Sequence, residues 1–254
     1  MLGYALGVSC IVLIVGAWFL LTLGEEAESR IISPTILQSP WEVVASLPSL
    51  IIERKLLESI GATLWRVILG FSLAVLIGVP LGMAAGTWRS ARAFLAPVVL
   101  YGRNMPLAAL IPLTVLWFGI GEFQKVMFIF IACVPFITAD AASAVMGIHD
   151  RYVETAQTLG ASSRQIAFKV LAPLALPDIF VGLRHLFGLA FGYIMLVELF
   201  DAKAGLGYLI SVSQRLGPRA HIYLILIIIG ILAYGIDRLL AFFQRGLFPY
   251  RSEE

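Results

Sequence analysis

Charge is scarce in this chain. Only 13% of its 254 residues are Asp, Glu, Lys or Arg, against roughly 25% in an ordinary soluble domain. That shortage excludes a water-solvated globule. The 60% of hydrophobic residues and the mean hydropathy of +0.93 place the chain in lipid instead. The net charge is only +2 and no stretch gathers Lys and Arg, which argues against a nucleic-acid partner. Cysteine and histidine are almost missing. Cys10 and Cys133 fall in apolar runs without a CxxC spacing, and His149, His185 and His221 are scattered, so neither a disulfide nor a bound metal is expected. A phosphate-binding GxxxxGK[ST] is absent as well. The nearest approach, "GIGEFQK" at Gly119 to Lys125, has the wrong spacing, so the chain is expected to hold no nucleotide site and to be no enzyme.

What the chain does have is long apolar runs. A membrane-crossing helix needs about 20 mostly apolar residues, and six segments meet or approach that length, at about 2–23, 60–86, 94–118, 125–146, 176–199 and 222–240. The first has no basic lead-in and no small-x-small cleavage site, so it is expected to stay as a helix. The second carries Gly70, Gly78, Gly82 and Gly86; this spacing puts small residues on one helical face, where a neighbouring helix can approach closely. The third is interrupted by "GRNMP" at Gly102 to Pro106 and again by Pro112. Breakers at membrane depth are tolerated only where the freed backbone groups face protein or a wet cavity. The fold class expected is an all-α integral membrane protein, one domain over residues 1–254. Basic residues divide almost evenly between the two sides, so the positive-inside rule votes only weakly for both termini on the cytoplasmic side.

One long polar run breaks the pattern: "HDRYVETAQTLGASSRQIAFKVLAPLALP", His149 to Pro177. Locally it reads as a helical hairpin over about residues 150–173. Asp150 can cap a helix over about Arg151 to Leu159, Gly160 suits the left-handed residue that ends it, and Ser162 with Gln165 makes a capping box for the next. A plain solvated connector would share the polarity and the caps, but most helix links are only about two to eight residues long.

The stretch from Glu154 resembles the EAA loop of the permease subunits of binding-protein-dependent ABC importers: Glu-Ala-Ala, three residues, Gly, nine residues, Ile, one residue, Leu-Pro. Glu154, Thr155 and Ala156 stand at the triplet, Gly160 at the glycine, and Val170, Ala172 and Pro173 at the tail. Thr155, Val170 and Ala172 depart from the pattern by small or apolar changes. Further blocks, among them "TLWRVILGFSLAVLIGVPLG", "GLRHLFGLAFGYIMLVELFDAKAGLGYLI" and "DRLLAFFQRGLFPY", are similar to the subfamily that imports nitrate, sulfonates, taurine or bicarbonate.

The resemblance implies a type I ABC importer permease fold of about six transmembrane helices in the bacterial cytoplasmic (inner) membrane. It implies a cytoplasmic coupling hairpin in which Glu154, Thr155, Ala156, Gly160, Arg164 and Gln165 engage ATPase subunits that carry the ATP and Mg, so that the permease itself holds no cofactor. It also implies a second permease copy around a shared pathway and a periplasmic or extracellular solute-binding protein as partners beside the lipid bilayer.

For the pathway, Arg103 and Asn104 sit near the middle of the third span, where an ionisable residue is by default a functional hypothesis; Arg103 could hold an anion, or be paired or snorkel. Arg184 and His185 are pathway candidates or the structural end of the fifth span. Glu198 and Asp237 read as solvated or interhelical partners, and Trp18, Trp88 and Trp117 as interfacial belt residues. Two outer segments, "ISPTILQSPWEVVASLPSL" and "DAKAGLGYLISVSQRLGPRAHIY", could receive a solute-binding protein or be ordinary connectors; the second suits a short helix lying on the membrane surface. A stand-alone secondary transporter or channel is the competing class, although no inverted repeat is evident. A scaffold without transport would leave the hairpin unexplained.

Overall fold

A computed structural model of the chain describes residues 2–24, 30–216 and 219–249, and among these no strand occurs. Both extreme termini, and Gly217 of the second outer segment, lie outside the described residues. The helix α1 (Leu2–Leu21) is followed by the short α2 (Pro40–Ala45) and α3 (Leu47–Ile52) and then by α4 (Leu56–Thr87), the longest uninterrupted helix. Next come α5 (Arg89–Asn104), α6 (Leu107–Phe118) and α7 (Glu122–Met146). The hairpin helices α8 (Asp150–Thr158) and α9 (Ser163–Ile166) lead through a π-helical turn, Ala167–Leu171, into α10 (Ala172–Asp201), and α11 (Leu206–Leu216) and α12 (Arg219–Leu247) complete the chain.

The glycine spacing of the second span builds the centre of the molecule. Gly70 packs on Ile129, Gly78 on Ile137, Gly82 on Ala141 and Gly86 on Val145, each partner 59 positions further along the chain. A constant offset means that α4 and α7 run parallel. A Cβ on Gly82 would stand 2.5 Å from both the Ala141 Cβ and the Thr138 carbonyl oxygen, so close approach demands glycine there.

Because α4 and α7 are parallel, the chain between them must return across the full thickness of the bundle. It does so through α5 and α6, which meet at an angle of 106°. The single interrupted span expected at 94–118 is therefore two helices. Met105 is extended (φ −71°, ψ 133°), as a residue preceding proline prefers, and Pro106 cannot donate the hydrogen bond that would continue the helix.

The α4 and α7 helices, the run 163–200 and α12 are each long and apolar enough to cross a membrane, and α5 with α6 makes a fifth crossing as a bent pair. The α1 helix adds an apolar stretch of 20 residues, about 30 Å at 1.5 Å per residue.

The α10 helix runs back against α7 and α4: its early Gly182 abuts Asp140 of α7, and its late Glu198 reaches Thr63 and Arg66 of α4. The α12 helix returns once more, with Arg184 bonded to Asp237 and Gln244 and Phe180 packed on Phe248. Its end therefore lies with the hairpin. At the other end Trp18 of α1 donates to the Gln38 carbonyl oxygen and lies near the Tyr223 ring; Trp18 is thus tied to protein, while Trp88 and Trp117 are exposed. The apolar face of α11 (Leu206, Leu209) is buried in the protein core rather than offered to lipid, because it closes the cleft between α4, α10 and α12.

Candidate functional site

The hairpin is built by local chemistry. The α8 helix starts at Asp150, one residue earlier than expected, and the extended capping position is His149, whose side chain makes no cap bond. Asp150 instead places its carboxylate in the first turn, where the helix dipole favours it. At the other end Gly160 N–H donates to Gln157 O and Ala161 N–H to Ala156 O, the paired bonds of a Schellman ending. Gly160 has φ +79°, the left-handed conformation that ending requires. Ser162 and Gln165 then cap α9 reciprocally: Gln165 N–H donates to Ser162 Oγ and Ser162 N–H to Gln165 Oε1.

The hairpin has an inner and an outer side. Ala156, Ile166 and Leu171 are buried against Ala141, Val145, Ala175 and Ile179, which roots it in α7 and α10. Glu154, Thr155, Gly160, Arg164 and Gln165 are exposed, and so are the apolar Leu159 and Phe168. Five of the six residues expected to meet a partner thus lie on the outer side; Ala156 faces inward and anchors the hairpin. Thr155 Oγ1 donates to Arg151 O at 2.7 Å, leaving Glu154, Arg164 and Leu159 as the open contact chemistry. The π-helical turn lies at the joint with α10, a deviation common at functional sites.

The expected pathway residues are not gathered in one place. Arg103 and Asn104, both exposed, border an open cavity of about 660 Å3 with Leu100 and Phe136, and the Arg103 guanidinium lies over the Phe136 ring, 5.6 Å from its centroid. Asn104 Nδ2 is occupied by the Leu100 carbonyl oxygen. Arg184 stands apart, in a 2.6 Å ion pair with Asp237 that ties α10 to α12.

A denser charged cluster sits at the end opposite the hairpin. Arg66 Nη1 donates to Glu198 Oε1 at 2.6 Å and to Ala204 O, while its Nε and Nη2 hold both oxygens of Glu122 at 2.5 and 2.6 Å. Glu198 also accepts from Thr63 Oγ1 and from Gly207 N–H. Sequence reading did not single out Arg66. The available signal was an arginine in the apolar run "TLWRVILG" with an acid in "LVELF", since charges at membrane depth come paired.

Beside this end, Arg30 grips Glu42 with two donors. Those bonds, helped by Ser39, hold the Glu42 carboxyl at about 2, well below its ordinary value, against a smaller opposing effect of burial.

Residues 78–249 match the family described as the binding-protein-dependent transport system inner membrane component. The chain belongs to that family. As a transport system inner membrane component it is 32% identical, over 89% of its length and 84% of the relative's, to the taurine transport system permease protein TauC of Escherichia coli (strain K12). It is 27% identical over 93% of its length and 85% of the relative's to the nitrate import permease protein NrtB of Leptolyngbya laminosa. In architecture it is similar to the MetNI methionine ABC transporter in an inward-facing conformation, with a TM-score of 0.68 at 23% identity over 75% of this chain and 95% of that one. The fold is that of a type I ABC importer permease.

Proposed function

We propose that this family member is the pathway-forming permease of an ATP-driven importer, a single domain whose hairpin is the coupling element for a cytoplasmic ATPase subunit. The observation that carries the reading is the hairpin's two-sidedness: a capped, rigid turn anchored by Ala156, Ile166 and Leu171 that turns Glu154, Leu159, Arg164 and Gln165 outward. In this reading the hairpin end faces the cytoplasm, together with the N-terminal end of α1 and the end of α12. Two copies pair about a two-fold axis, and the outer segments around α2 and α11 receive a solute-binding protein.

The solute is a small acid of the taurine, sulfonate, nitrate or bicarbonate class. The relatives named for taurine, aliphatic sulfonate and nitrate transport support this, as does Arg103, exposed beside the open cavity. ATP closure of the ATPase pair moves the hairpins; because α9, the π turn and α10 are continuous, α10 moves with them, and α7 follows through their shared core. No observation favours a secondary transporter.

The test is reconstitution of the chain with its ATPase and binding protein in liposomes, followed by uptake of radiolabelled taurine, ethanesulfonate and nitrate. ATP-dependent accumulation of at least one supports the reading, and accumulation without ATP contradicts it.

A further inference from the structure

The α5 helix buries none of its residues and has two exposed faces of opposite character. One carries Phe94, Val98 and Tyr101, all exposed, at the four- and three-residue steps that stack side chains on one side. The other carries Arg89, Arg92, Ala96, Leu100 and Arg103, exposed as well, at steps of three, four, four and three. A bilayer accepts the apolar face. It does not accept the basic one, because an arginine at membrane depth is costly unless it meets a partner or water.

Arg103 is at such a depth. Its neighbour Gly102 abuts Pro135, midway along α7, and at 1.5 Å per residue Arg103 stands about 21 Å from Arg89 along the helix, too far for both to sit at one membrane surface. Arg66 and Arg184 each hold a carboxylate. Arg89, Arg92 and Arg103 are in no ion pair among the described residues. The basic face of α5 is therefore turned to water.

The two ends of that face border two cavities. Ala96, Leu100 and Arg103 line the open cavity of about 660 Å3, and Arg89 and Arg92 line another of about 490 Å3, whose opposite wall is the hairpin, through Asp150, Gln157 and Ser163. Arg92 is fixed there by its Nε and Nη2, which donate to the Ala85 and Gly86 carbonyl oxygens at the end of α4, where a cation is favoured. Its Nη1 and the whole Arg89 guanidinium have no protein partner among the described residues. Two cations against the single carboxylate of Asp150 favour an anion in this inner cavity.

We propose that the basic face of α5 forms the inner half of the solute pathway and that Arg89 and Arg92 are its exit-end anion site, where the solute rests against the hairpin before release. This rests on the importer reading above and adds a second anion site to it. Because one wall of the site is the coupling element, the movement that reorients α10 also reshapes the exit.

The experiment places single cysteines in the permease–ATPase complex in nanodiscs, with Cys10→Ser and Cys133→Ala, and follows their reaction at low salt with sulfonatoethyl and trimethylammonioethyl methanethiosulfonate. Ala96→Cys, on the basic face, is expected to react with both reagents and faster with the anionic one, while Phe94→Cys, on the apolar face, reacts with neither. Arg92→Gln in the Ala96→Cys protein should lower the ratio of the anionic to the cationic rate about tenfold. One unit charge at about 6 Å in water alters each rate about threefold, in opposite directions. Ser163→Cys on the hairpin wall should read Arg89→Gln in the same sense, and Arg89 makes no protein bond whose loss could unfold the variant. An unreactive Ala96→Cys, a Phe94→Cys that reacts as fast, or rate ratios unmoved by both arginine substitutions would overturn the proposal. ATP-driven ethanesulfonate uptake by the complete transporter alongside such a result would leave the importer reading standing. Absence of ATP-driven uptake of any of the small acids would remove that reading itself.

Discussion

Arg66 and Glu198 meet at 2.6 Å with 2% and 0% of their side chains accessible. The pair is the centre of a cluster that fastens α4, α7, α10 and the start of α11 at one end of the bundle. Gly205 and Gly207 leave the space that Glu198 fills; a Cβ on Gly205 would lie 2.5 Å from Glu198 Oε1. Both partners have further hydrogen bonds, as a buried ion pair needs if it is not to cost more than it returns.

Removing one partner is therefore expected to be costly. Arg66→Met leaves Glu198 buried without its cation and should destabilise the protein by about 3–5 kcal/mol, whereas Arg66→Met with Glu198→Met should recover most of that loss. Unfolding of the four proteins of this cycle in detergent, titrated with dodecyl sulfate, checks it; equal losses in the single and double variants would contradict it.

The parallel α4–α7 seam makes a second prediction. Gly82→Ala forces a methyl into Ala141 and the Thr138 carbonyl and should cost about 1–3 kcal/mol, the usual range for overpacking. Gly61→Ala, on the same helix with nothing within 4 Å of the added carbon, should be neutral or stabilise by up to about 1 kcal/mol. The same unfolding assay separates them.

At the hairpin turn, Gly160→Ala should cost roughly 1–2 kcal/mol because a Cβ disfavours the left-handed conformation, and Gly160→Asn should cost less. Protease nicking between α8 and α9 reads the difference, with faster cleavage expected for alanine.

The Arg30–Glu42 contact sets a pH dependence. The folded-state value of Glu42 lies at about 2, below the ordinary 4.5, so its stabilisation is fully present above the ordinary value and is lost as pH falls through that value towards about 2. Thermal unfolding of wild type and Glu42→Gln should differ at neutral pH and converge in acid; a difference that persists at the lowest pH would contradict it.

The parts legible in the sequence were those fixed by local or periodic chemistry. The positions of Gly70, Gly78, Gly82 and Gly86 already encoded a close helix contact, and Gly160 with Ser162 and Gln165 encoded the hairpin. The Arg66 cluster was not read, because Thr63, Glu122 and Glu198 come together only after the chain has crossed the bundle several times. For α11 the sequence left a membrane-surface helix and a plain connector both open: an amphipathic pattern shows that one face is buried, and does not say whether lipid or protein buries it, and here Leu206 and Leu209 are buried by protein. Pro106 announced a break in the third span; the 106° bend follows from returning the chain between two parallel helices.

The measurement that tests the account most directly is ATP turnover of the permease–ATPase complex in nanodiscs, stimulated by loaded binding protein, for wild type, Glu154→Arg and Ala156→Glu. The account predicts that Glu154→Arg folds normally but loses ATPase association or solute-stimulated turnover, and that Ala156→Glu, which buries a charge under the hairpin, loses both the hairpin's protease resistance and turnover. Full stimulated turnover in Glu154→Arg and Ala156→Glu alike would contradict it.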